Sequence, residues 1–158
     1  MLNKLTILLA ATAAPANVLA IGAAVIVNRC PFPVTAWSVG SAITGPFSIP
    51  ATTGVWNEGF LHDALTGGRA IKITRSPDGL YTGAPQTIFA YTLDEPRVWF
   101  DLSDVFGDAF AGNKVIERSS DAGCANPAII WPTGVPPAGS QVKVCNANQD
   151  VTLTLCAA

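Results

Sequence analysis

A chain of 158 residues with a net charge of −2 has room for one domain. Only 13% of its residues are charged, so neither the basic face that nucleic acid requires nor the polybasic patch that draws a protein to anionic membrane is expected. Four cysteines, 14 glycines and 12 prolines point instead to a small, turn-rich fold held by disulfides.

Residues 1–20 read as a signal peptide. Lys4 is the basic start, Leu5 to Ala14 the apolar stretch, and Val18-Leu-Ala20 the small-residue cleavage site. The apolar stretch is too short to span a membrane. The expected product is one domain over residues 21–158, secreted to the extracellular space or the cell wall. Loss of Lys4 makes it slightly more acidic. All four cysteines, Cys30, Cys124, Cys145 and Cys156, fall in this part, and an even number in a secreted chain implies two disulfides. Three pairings are open at this point. There is no C-x-x-C motif, and the single histidine, His62, is far in sequence from every cysteine, so no zinc site is expected.

The remaining chain is short segments between Gly and Pro. Ala23 to Cys30 is β-branched, and Val34 to Val39 carries Val, Thr and Trp. Arg69 to Thr74, Thr87 to Leu93, Arg97 to Ser103, Gln141 to Cys145 and Val151 to Cys156 follow, several of them alternating with period two. Such alternation marks half-buried strands, and no sustained apolar pattern at helical spacing follows the signal peptide. The expected class is all-β, an antiparallel β-sandwich or barrel. Pro31-Phe-Pro33 and the stretch Trp131 to Gly139 read as loops, because proline cannot donate to a sheet ladder.

Four motifs then occur in a suggestive order: Val25-Ile-Val-Asn-Arg-Cys-Pro-Phe-Pro-Val-Thr-Ala-Trp37, Gly67-Gly-Arg69 with its strand, Ala84 to Leu93, and Arg97 to Gly107. Together they resemble the opening hairpin, the Gly-Gly-Arg strand and the core hairpin of thaumatin-like proteins. Phe60-Leu-His-Asp63, Asp101-Leu-Ser-Asp-Val-Phe-Gly-Asp108 and Pro136-Pro-Ala-Gly-Ser140 resemble in particular a family of small secreted fungal proteins named for a yeast-phase-specific protein. The resemblance implies a reduced thaumatin-like β-sandwich in which Cys30 pairs with Cys156, and hence Cys124 with Cys145. It also implies a partner such as β-glucan or another cell-wall polysaccharide, or a host or other extracellular protein.

Glycoside hydrolysis normally needs two carboxyl groups, ~5–5.5 Å or ~6.5–9.5 Å apart. Of the acids that the resemblance implies, Asp101 is retained. The glutamate position is Ala90, the next aspartate is Phe106, and the cleft arginine maps to Arg69. The expectation is therefore a binding protein without enzymatic activity. The alternative is weak endo-β-1,3-glucan hydrolysis by Asp101 with a relocated acid, Asp104 or Asp108. Strand geometry puts Arg97, Trp99 and Asp101 on one face, with Trp99 as a stacking platform and the charged groups as hydrogen-bonding partners. The bland reading of the same residues is Trp99 in the core and Asp101 paired with Arg97 or Arg69. His62, near Glu58 and Asp63, completes the ligand-binding candidates. The Asp101, Asp104, Asp108 spacing does not match an EF-hand loop, so no metal and no cofactor is expected.

Overall fold

The computed structural model describes residues 20–158. Of the expected signal peptide, only Ala20 falls among them. Eleven strands and one helical turn make up the described chain: β1 (Ala23–Asn28), β2 (Val34–Val39), β3 (Ile43–Ile49), β4 (Gly54–Gly59), β5 (Arg69–Thr74), α1 (Gly79–Thr82), β6 (Gln86–Asp94), β7 (Arg97–Val105), β8 (Val115–Ser119), β9 (Ala128–Trp131), β10 (Lys143–Asn146) and β11 (Val151–Leu155). They form a five-stranded sheet in the order β4-β1-β11-β8-β9 and a six-stranded sheet in the order β10-β7-β6-β5-β2-β3. The expected all-β sandwich is the observed architecture. One pairing departs from the antiparallel rule, because β1 and β11 run parallel.

That parallel pair lays the first and last strands side by side, with Cys30 and Cys156 just past their ends. The Cys30–Cys156 disulfide joins them across 126 residues of sequence. In the chain-entropy account, closing a loop of that size destabilises the unfolded chain by roughly 4–5 kcal/mol. Cys124–Cys145 ties the loop before β9 to β10. Both expected bridges are present.

The core lies between the two sheets. Ile71, Phe89 and Leu102 align across β5, β6 and β7, with Tyr91 and Phe100 in the next inward row. Ile26 and Leu153 face them from the five-stranded sheet. Burying each large apolar side chain contributes about 1.5–3 kcal/mol. The alternation along β6 and β7 sets which residues face out. Along β7, Val98, Phe100 and Leu102 are buried, so Arg97, Trp99 and Asp101 share the outer face as the sequence predicts.

Asn28 explains the Asn-x-Cys pattern. It is fully buried, and its Nδ2 donates to the carbonyls of Phe32 (3.0 Å) and Pro50 (3.0 Å), while its Oδ1 accepts from Cys30 N (3.0 Å). One side chain thus fixes the turn out of β1 and the chain leaving β3.

Four strands do not show as period-two runs. β3 contains Gly45-Pro46 and is mostly exposed as an edge strand, and β4 is a short edge strand bounded by glycines. β9 has only four residues, bracketed by Pro127 and Pro132. In β8 the inward positions are Val115, Glu117 and Ser119, so a carboxyl breaks the apolar alternation. Near the C-terminus, the strand expected over Gln141 to Cys145 begins at Lys143, and it buries Cys145 while Val142 stays exposed.

Candidate ligand-binding face

The outer face of the six-stranded sheet carries a depression of about 460 Å³. Its floor is a row of small side chains. Ala70 pairs with Ala90, and Ala90 pairs with Asp101, so two alanines lead directly to the carboxyl. The neighbouring row pairs Thr92 with Trp99, and Trp99 is 42% exposed. Thr66, Gly68 and Val142 complete the rim. Trp99 thus stands on the outer face and not in the core. It stands about 7 Å along the strand from Asp101, a reach set by the two-residue repeat.

Asp101 is half-buried in this face, and burial raises its pKa above the ordinary carboxylate value. It makes no ion pair with Arg97 or Arg69. The residue directly across from it is Ala90, at the position the resemblance assigns to the glutamate. Asp101 is the one carboxylate that lines the depression.

Arg69 borders the depression, but its guanidinium belongs to a cluster at the sheet's end. Nε donates to Ser38 Oγ (2.9 Å) and lies 3.4 Å from Glu58 Oε1, while one terminal nitrogen is 3.7 Å from Asp63 Oδ2. Ser38 Oγ in turn donates to Glu58 Oε1 (2.9 Å), which also accepts from the Tyr91 hydroxyl (2.8 Å). Burial, and then the bond to Glu58, pushes the Tyr91 hydroxyl pKa far up. Asp63 is held well below the carboxylate range by the backbone N–H of Ser41, then that of Thr66, then the Ser41 hydroxyl. Gly40 has no side chain for a related reason: a Cβ there would collide with Asp63 Oδ2. The acids near His62 in sequence thus serve the scaffold around Arg69. His62 itself is exposed, with Nδ1 3.3 Å from the Leu93 carbonyl oxygen, outside the depression.

The other candidates separate. Arg97 shares the outer face beyond Trp99 but lines a different recess, with Asp121 and Asn146. Asp104 has the opposite strand parity from Asp101 and sits opposite Thr87 on the inner side. Both of its carboxylate oxygens are buried without a well-formed hydrogen bond. Burial raises its pKa to about 7, the Thr87 hydroxyl partly opposes this, and Asp108 adds to it. Asp108 lies past the end of β7, in a recess with Arg75. Neither acid comes to the depression, so they do not form a carboxylate pair across it with Asp101.

Sequence reasoning named Ala90 only as the lost glutamate position and missed that it forms a floor with Ala70, although the outward parity of both, beside Ile71 and Phe89, was visible. It also missed Glu117. This residue is fully buried on the inner face of the five-stranded sheet, and neither carboxylate oxygen has a partner. Burial raises its pKa well above the ordinary value, and the charge on Asp101 adds to that. A second acidic grouping, Asp121 with Cys124 and Cys145, offers no thiolate because both sulfurs are in a disulfide. Asp121 instead accepts from Asn146 N (3.0 Å), Asn146 Nδ2 (2.8 Å) and Gly123 N (2.9 Å).

The two sheets, the disulfide between the first and last strands and the β6–β7 hairpin with Asp101 define a small thaumatin-like sandwich. The chain belongs to the Blastomyces yeast-phase-specific protein family (Bys1), whose model matches residues 11–157. It is 30% identical over 166 residues to an antigenic thaumatin-like protein of Arthroderma benhamiae, an alignment covering 99% of this chain and 80% of that protein. Its fold is similar to the crystal structure of the protein elicitor MoHrip2 from Magnaporthe oryzae. The TM-score is 0.68 at 23% identity, over 86% of this chain and 99% of that one.

Proposed function

We propose that this protein acts outside the cell, at the wall or in its surroundings, by binding polysaccharide on the outer face of the six-stranded sheet, without hydrolysing it. The observation that carries this reading is the shape of that face: an exposed Trp99 beside an alanine floor, with Asp101 and Thr92 at its margin. An indole presents a flat apolar surface on which a sugar ring stacks, while carboxylate and hydroxyl groups fix its orientation. About 460 Å³ is an ordinary volume for such a site. The direct pairing of Asp101 with Ala90 argues for binding over catalysis, since two-carboxyl hydrolysis needs a second acid facing the same bond. The names of the relatives, an antigenic protein and an elicitor, fit an extracellular protein. Among the described residues no helix is long and apolar enough to cross a membrane.

The test is retention on insoluble β-glucan and on chitin by the protein and by Trp99→Ala. Stacking on an aromatic ring is worth on the order of 1 kcal/mol, so the variant should bind roughly five- to tenfold more weakly. Equal retention of both proteins would remove Trp99 from the site. No retention of either on any wall polymer would sink the reading in favour of an extracellular protein partner.

A further inference from the structure

We infer that the ligand for this face is an oligosaccharide whose sugar units carry free, protonated amino groups, and that Trp99 and Asp101 together select it over neutral sugars. This rests on the polysaccharide reading above and names the ligand's chemistry.

The argument is one of charge complementarity within the depression. A ligand lying on the Ala70–Ala90 floor meets the exposed face of Trp99 on one side and the Asp101 carboxylate on the other. An aromatic face is attractive to a cation, and a carboxylate more so. A neutral hydroxylated ring uses the stacking surface but leaves the half-buried carboxylate without an opposite charge. An ammonium group about 3 Å from Asp101, within reach of the indole, satisfies both at once. Nothing among the residues lining the depression already serves as the counter-ion. Arg69 is the one cation there, and it is committed to Ser38, Glu58 and Asp63. One guanidinium between two carboxylates leaves that cluster net negative, which again favours a cationic ligand. An anionic sugar would meet Asp101 and this cluster with like charge.

The charged groups around Asp101 on the neighbouring strands set how far this extends. Arg97, two residues away on β7, opens onto another recess. Lys72 on β5 shares the outer face one row beyond Ala70, and Lys143 on β10 pairs with Phe100, and neither lines the depression. β6 contributes Ala90 opposite Asp101. Glu117 lies on the core side, and burial, then the Asp101 charge, raises its pKa.

The experiment compares three soluble oligomers of equal length on the intact secreted protein by calorimetry at low salt: β-1,4-linked glucosamine, its fully N-acetylated counterpart, and a β-1,3-glucan. The glucosamine oligomer should bind roughly tenfold more tightly than either neutral one, as one exposed ion pair plus one cation–π contact provides. The preference should shrink as salt is added. It should follow a bell in pH, rising as Asp101 ionises and falling when the amine loses its proton. Asp101→Asn should abolish the preference, so that the variant binds all three oligomers alike, and Asp101→Glu, which keeps the charge, should restore it. Equal affinity for all three, or a preference that survives Asp101→Asn, overturns this inference and leaves the polysaccharide reading standing. No binding of any oligomer overturns both.

Discussion

Two regions of this sandwich hold carboxyl groups under opposite rules. Around Arg69, both acids have partners: Glu58 accepts from Ser38 and Tyr91, and Asp63 accepts from Ser41, Leu65 and Thr66. At Glu117 the carboxylate oxygens have none among the described residues, and at Asp104 none is well formed. The first arrangement stabilises charge inside the protein, because each ion keeps its hydrogen bonds after leaving water. The second stabilises only the protonated acid, so the proton replaces the missing counter-ion. One region is scaffold at the end of the six-stranded sheet, and the other makes the fold sensitive to proton concentration.

The sharpest way to break this contrast is Arg69→Met. The Arg69, Glu58 and Asp63 side chains are 11%, 15% and 4% exposed, so removing the cation leaves two largely buried carboxylates without their counter-ion. Truncating one partner of a buried pair costs about 3–5 kcal/mol. Urea unfolding should show a loss of that order, and Ser38→Ala should show a smaller one. A loss below about 1 kcal/mol would mean that the cluster behaves like a surface ion pair, and the two regions would no longer differ in kind.

The sequence disclosed these regions unequally, and the reason is physical. Strands that bury one face of alternating apolar residues, β1, β5, β6, β7 and β11, were legible because their burial has period two. The outward placement of Arg97, Trp99 and Asp101 followed from the same rule. β8 was not legible, since a glutamate occupies its central inward position, and an inward acid looks like a solvent-facing one when only the sequence is read. The Arg69 cluster brings together β2, β4, β5, β6 and the loop at Asp63, contacts that no local spacing encodes. Acids close in sequence, Asp101, Asp104 and Asp108, look like one cluster, yet strand parity and the end of β7 send them to three different surroundings.

Glu117 offers the next largest effect, of opposite sign to Arg69. A buried protonated acid without a partner costs about 1–3 kcal/mol relative to an apolar side chain of similar shape. Glu117→Leu should therefore raise stability by about that amount at neutral pH, measured as a shift of the urea midpoint with an unchanged slope. Glu117→Gln should change little, because an amide in the same place is also unsatisfied. Destabilisation by Glu117→Leu would reveal that the carboxyl has a partner after all and belongs with the Arg69 cluster.

The smallest effect is the most specific to the second region. Asp104 has a folded-state pKa of about 7 against an ordinary value of 3.8. A raised acid stabilises the fold fully below its unfolded value and loses that contribution as pH climbs to its folded value. Stability should therefore decline between about pH 4 and pH 7, and Glu117, whose pKa burial also raises well above the ordinary value, adds a decline of the same sign. Asp63 and Asp121 have the opposite sign. Their lowered values preserve stability above the ordinary carboxylate range and lose it as pH falls through their own. The two regions together place the optimum on the acid side of neutral. Asp104→Asn should flatten the decline below pH 7 and spare the part that belongs to Glu117. Asp108→Asn should do the same in weaker form, since Asp108 is the last contributor to the Asp104 shift, after burial and Thr87. A slope unchanged in Asp104→Asn would transfer the pH dependence to Glu117 and Asp101, the other two acids whose pKa is raised.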